Sequence, residues 1–291
     1  MSRVNPVVLV LVAIASVQLG AAMAKGVFDT ASPGVLALTR VALASVVFLA
    51  IARPRFTGRS ARDWLVALGY GVCLVGMNVA IYYSFARIPI GVAVTVEFIG
   101  PLALAVLGSR RPVDLVWVGF AAAGVLLLGA LPSSADLLGL LLALVAGAFW
   151  AGYIVLAGPL GRRWEGISGV AAGSMLGTLL LAAPVLLTAD GGIGTPGVWL
   201  TMAAVALLSS VVPYGLEVPA RRSITASTFG ILMSLEPAAA ALFAWMVLGE
   251  RLGWVEWLAM ACVIVASVGA IRTARRRNGQ ETIRHARAEG A

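Results

Sequence analysis

Charge is scarce in this 291-residue chain: Asp, Glu, Lys and Arg make up 12% of it, against 60% for hydrophobic residue types. A water-soluble domain carries roughly 25% charged residues, so that class is excluded. Histidine is limited to His285 near the C-terminus. A metal protease therefore lacks ligands, and a serine hydrolase has neither a His base nor a Ser/Lys pair within the apolar runs. The aspartates Asp29, Asp63, Asp114, Asp136 and Asp190 all fall at segment ends or in loops, which removes intramembrane proteolysis by paired aspartates. The two cysteines, Cys73 and Cys262, lie in apolar runs with no CxxC or Cys/His spacing, so neither metal nor redox work is assigned to them. No enzyme activity, metal or cofactor is expected.

Long apolar runs are what the chain has in abundance. They read as helices over residues 5–24, 33–52, 64–86, 89–108, 113–131, 137–157, 168–188, 198–219, 225–247 and 253–271. Ten spans of about 20 residues take up roughly 200 positions, which leaves no room for an extramembrane catalytic domain or a folded partner-binding module. The period-two alternation of a membrane barrel is absent, and backbone polar groups in lipid must be satisfied within each segment. The fold class is an all-α integral membrane protein with ten transmembrane helices.

The net charge of +8 resembles a nucleic-acid signature until the basic residues are sorted by position. With the N-terminus placed in the cytoplasm, 17 basic residues fall in cytoplasmic segments and 3, Lys25, Arg87 and Arg251, on the other side. The positive-inside rule puts both termini in the cytoplasm, followed by a basic, lipid-facing tail over 272–291. No nucleic-acid partner is expected. Residues 4–24 with Ala22-Met23-Ala24 resemble a signal peptide, but the run is longer than an ordinary h-region and reads as a retained helix.

The halves repeat. Trp64-Leu65 and Trp199-Leu200 stand 135 residues apart, Arg87 and Arg222 keep that offset, and Pro101 answers Pro237 one residue later. Two five-helix units over 1–131 and 137–271 follow; because five is odd, the second enters the membrane from the opposite face, the inverted repeat that secondary transporters use. A binding site near the midplane between the halves is the corresponding expectation.

These halves, with Arg40 in the second segment and Ser234-Leu235-Glu236-Pro237 running on to Leu248-Gly249-Glu250, resemble the EamA branch of the drug/metabolite transporter superfamily. More narrowly, Glu97-Phe98-Ile99-Gly100-Pro101, Pro213-Tyr214-Gly215-Leu216-Glu217 and Thr228-Phe229-Gly230-Ile231-Leu232 resemble bacterial inner-membrane threonine/homoserine exporters. Gly108-Ser109-Arg110 stands where the broader family has Leu-Gly-Glu, a departure those exporters share. The resemblance implies export of small polar amino acids across the cytoplasmic membrane, with protons as counter-substrate. A drug or metabolite carrier with another cargo or direction is the alternative.

Ionisable residues deep in a membrane helix cost several kcal/mol unless sheltered, so Arg40, Glu97, Glu217 and Glu236 are the leading site candidates. Arg40 lies about 10 Å and Glu97 about 12 Å from the outer boundary, so a pair between them is expected, either lining a substrate cavity or only fixing helix packing. Glu236 lies about 16 Å from the inner end with no basic residue nearby in sequence, the setting of a proton carrier. Pro101, Pro213 and Pro237 release the carbonyls of Glu97, Ser209 and Met233 as ligands for an ammonium, or merely kink their helices. Asn78 and Tyr82 share a helix face, as do Ser210, Tyr214 and Glu217, and Trp150 and Tyr153. Glu217 has a second reading as a surface ion pair with Arg221, and Tyr82 as an interfacial anchor. Gln18 and Lys25 also share a face, with Lys25 expected to snorkel outward. Gly71, Gly76, Gly147 and Gly152 read as close-packing positions.

Overall fold

The computed structural model describes residues 5–107, 112–129, 136–188, 196–221 and 223–289, with side chains beyond residue 273 and those of a few further residues not described. Arg110, Arg111, Arg222 and the basic side chains of the tail beyond Arg272, which carry part of the charge asymmetry and of the repeat, lie outside that description, as does the Gly108-Ser109-Arg110 departure.

Helices account for all the regular structure among the described residues: α1 Pro6–Lys25, α2 Pro33–Ala52, α3 Ala61–Phe85, α4 Ile90–Glu97, α5 Ile99–Leu107, α6 Pro112–Gly129 and α7 Leu137–Arg163. They continue as α8 Ser168–Leu187, α9 Pro196–Ala206, α10 Val212–Arg221, α11 Ala226–Met233, α12 Glu236–Leu248 and α13 Trp254–Glu289. Their starts follow local chemistry. Ser32 caps α2 with Pro33 in its first turn, Ser60 and Asp63 form a capping box on α3, and Asp136 accepts amides at the start of α7.

Taking α4 with α5, α9 with α10, and α11 with α12, nine stretches among the described residues are long and apolar enough to cross a membrane; in α6 the apolar stretch, Leu115–Leu128, is shorter. The tenth full span expected over 113–131 is thus met only in part among the described residues. The segments expected over 89–108 and 225–247 are not continuous. Each breaks before its proline, at Phe98 and at Ser234-Leu235, and Pro101 and Pro237 then sit in the first turn of the following half-helix, where a missing N–H costs nothing. Between α9 and α10 the chain widens into a π-helical turn, Leu207–Val211, just before Pro213. Helix α7 runs on to Arg163 rather than ending near 157, and α13 extends well past 271.

Several elements recur along the chain. Helix α8 starts and ends 135 residues after α2, and α11 starts and ends 136 residues after α4, with the breaks at Phe98 and Ser234 keeping that second offset. The halves interleave in space: α1 packs on the π turn, α10 and α12, while α7 packs on α3, α4 and α5. Small residues permit these approaches. A Cβ on Gly71 would run into the backbone of Gly173, so α3 and α8 touch main chain to main chain. The same holds for Gly100 and Gly147, where α7 meets the break between α4 and α5.

Candidate functional site

A cavity of about 730 Å³ lies between the interleaved halves. It is walled by α1, α2, α3, the broken α4–α5 and α11–α12 pairs, α7, α8, α13, and the π turn with α10. All eight candidate residues line it: Arg40, Asn78, Glu97, Trp150, Tyr153, Tyr214, Glu217 and Glu236. Each helix break has a carboxylate beside it, Glu97 as the last residue of α4 and Glu236 as the first of α12. Both are about nine-tenths buried within the protein.

The expected Arg40–Glu97 pair does not form: among the described residues the ion pairs within 4 Å are Lys25–Glu250, Arg87–Asp136 and Arg163–Asp63. Arg40 instead turns to Tyr82, with its guanidinium 5.6 Å from the ring centroid and one nitrogen donating to the hydroxyl at 3.4 Å. Its Nε is buried without a hydrogen-bond partner. The physical reason is that Tyr82, wholly buried on α3, offers the guanidinium a ring face and a hydroxyl. That position also corrects the reading of Tyr82 as an interfacial anchor: it lines the cavity one turn from Asn78. Lys25 is held at the protein's own groups: its ammonium donates to the Ile88 carbonyl at 3.0 Å and pairs with Glu250.

Of the carbonyls released by proline, that of Glu97 faces Gly147 so closely that a Cβ there would sit 2.5 Å from it. It points at α7, not into the cavity. Asn78 donates its amide to the Leu74 carbonyl at 2.8 Å, which fixes its rotamer on the cavity wall. The aromatic wall is held by ring contacts, Trp150 edge-on to Phe98 at 5.3 Å, Tyr153 on Tyr70 at 5.0 Å and Tyr214 on Phe48 at 5.4 Å. Glu217 faces the same cavity, and the side chain of Arg221 is not among those described. Glu236 lies within the electrostatic reach of Glu217 and Glu97, and Glu97 within that of Arg40. Among the described lining residues three carboxyl groups thus face one guanidinium, a balance that favours positive charge in the cavity.

The chain is 42% identical over 275 residues to the threonine/homoserine exporter RhtA of Escherichia coli strain K12, which spans 93% of this chain and 92% of that protein. It is 40% identical, with the same coverage, to RhtA of Salmonella typhimurium strain LT2. Residues 137–272 match the EamA-like transporter family. The chain belongs to that family. A crystal structure 19% identical to this EamA-like chain superposes with a TM-score of 0.63 over 92% of this chain and 98% of its own, which shows a shared fold.

Several lining residues of this EamA-like protein were not among the candidates. Gln18 is buried at the cavity wall, and its Oε1 has no hydrogen-bond partner; its signal was a lone amide in an apolar run. Ser209 enters through the π turn, which no sequence period announces, while Ser210 lines the cavity with Tyr214 and Glu217, the residues whose helix face it shares in the sequence. Ser174 lines the cavity from α8, where a single serine in a small-residue stretch gives little to read.

Proposed function

We propose that this protein exports threonine, homoserine and similar small polar amino acids across the bacterial cytoplasmic membrane, in exchange for protons. The observation that carries the reading is one cavity between the helices holding Arg40, Glu97 and Glu236 together. Arg40 meets the substrate carboxylate, Glu97 the ammonium, and Glu236, beside the break in its helix, exchanges the proton. Asn78, Tyr153 and Tyr214 contact polar side-chain atoms, Trp150 closes the apolar wall, and Glu217 draws cations toward the cavity. The 42% identity to RhtA over nearly the whole chain supports the cargo and the direction.

The architecture of this reading is two inverted five-helix repeats, 1–131 and 137–271, with a basic cytoplasmic tail over 272–291 and both termini in the cytoplasm. The matching bounds of α2 and α8, and of α4 and α11, support it, as does the reciprocal packing of α1 and α7 on the opposite halves.

A volume of about 730 Å³ and an aromatic wall favour a second reading, a carrier of larger drug-like molecules. Efflux of labelled threonine, labelled homoserine and a panel of cationic drugs from the same overproducing cells separates the two. Amino-acid efflux with no change in drug resistance is expected, and the reverse pattern overturns the assignment.

A further inference from the structure

The Leu248-Gly249-Glu250 motif takes no part in the cavity, yet its geometry is specific. Gly249 adopts a left-handed conformation (φ 71°), which ends α12 and returns the amides of Gly249 and Glu250 to the carbonyls of Trp245 and Ala244. The turn swings Glu250 across to two other elements. Its Oε2 accepts from the Ile90 amide at the start of α4 at 2.9 Å, and its Oε1 pairs with Lys25 at the end of α1 at 2.5 Å. Lys25 also donates to the Ile88 carbonyl in the α3–α4 turn. One carboxylate and one ammonium therefore tie together the ends of α1, α4 and α12, and those helices carry Gln18, Glu97 and Glu236.

Ala24, Ile88 and Ile90, at the clasp or next to it in the chain, are fully or almost fully buried and none of them lines the cavity, so packed side chains separate the clasp from the cavity. At the other end the lining reaches Val170, at the start of α8, Ile224, in the α10–α11 turn, and Ile271 on α13. Both clasp side chains keep about a fifth of their surface or less, so the pair is only weakly screened by solvent.

We propose that the Lys25–Glu250 clasp is the gate of this end: closed, it seals the cavity on the Lys25 side, and its opening exposes the cavity to that side. The proposal extends the carrier reading, but its test needs no substrate, so either can fail without the other. Val17, which lines the cavity two turns below Lys25, is replaced by cysteine in a Cys73→Ser, Cys262→Ser background, and its reaction with a membrane-impermeant maleimide is timed in intact cells and in inverted vesicles. An Asp29→Cys reporter, beside the clasp on an exposed turn, defines which preparation presents the Lys25 face.

Glu250→Gln keeps an acceptor for the Ile90 amide but removes the charge pair. With it, or with Lys25→Met, labelling of Val17→Cys from the Lys25 face is expected to rise about tenfold, and the exchanged pair Lys25→Glu with Glu250→Lys to lower it again. Labelling that stays within about twofold of the parent in both single variants overturns the gate, since a broken pair that shifts no population closes nothing. Loss of both single variants from the membrane, with recovery in the exchanged pair, also overturns it, by making the clasp a requirement of the fold.

Discussion

At the residue scale the energetics centre on Arg40. Its charge is sheltered by the cavity and by the face of Tyr82, yet its Nε is left without a partner, the state expected of a group that completes its bonds with a ligand. Tyr82→Phe keeps the ring and removes the hydroxyl at 3.4 Å. A bond of that kind is worth about 1 kcal/mol, so the KM for threonine is expected to rise about fivefold while the maximal rate changes little. Arg40→Lys replaces a planar fork by a point charge and is expected to abolish measurable uptake at the same substrate concentrations. Away from the membrane, Asp136 is held below the usual carboxylate range by its hydrogen bond to Arg87 and by the amides of Leu138 and Gly139. A carboxylate with a lowered folded value stabilises the fold at pH above its ordinary value and loses that contribution as pH falls through the folded one. Melting of the detergent-solubilised protein should thus lose stability across that acidic window, and Asp136→Asn should flatten the dependence; an unchanged slope contradicts the assignment.

At the element scale, close helix contact dominates. Gly71 and Gly173 bring α3 and α8 together at the main chain, so Gly71→Ala is expected to cost about 1–3 kcal/mol and lower the melting temperature. Gly119 on α6 has nothing within 4 Å of an added Cβ, and Gly119→Ala is expected to be neutral or to stabilise by about 1 kcal/mol. Equal melting temperatures for the two variants would mean that the approach of α3 and α8 is loose. The starts of α2 and α7 were legible in the sequence, at Ser32-Pro33 and Asp136, whereas α3, read from residue 64, starts at Ala61 because Ser60 and Asp63 cap it there. The breaks at Phe98 and Ser234-Leu235 were not legible. A proline shows that hydrogen bonding must yield nearby, but the yielding turn lies upstream, where Pro101 and Pro237 become first-turn residues. The π turn at Leu207–Val211 leaves no periodic trace at all.

At the scale of the whole molecule, the candidate residues were legible one by one, since lipid does not tolerate unsheltered polar groups, and all eight line one cavity. Their partners were not legible. Whether Arg40 meets Glu97 or Tyr82 depends on the rotation of α2 against α3, and the Lys25–Glu250 contact joins residues 225 positions apart. In the proposed account those contacts divide the work: the cavity holds the cargo, and proton exchange at Glu236 couples it to the pH gradient. The most direct test is uptake of labelled threonine into proteoliposomes of the purified protein under an imposed pH gradient, compared between the native chain and Glu236→Gln. Gradient-driven accumulation by the native chain is expected, and only downhill equilibration or exchange by Glu236→Gln. Threonine uptake that ignores the gradient, or a Glu236→Gln protein that accumulates threonine as well as the native chain does, would contradict it.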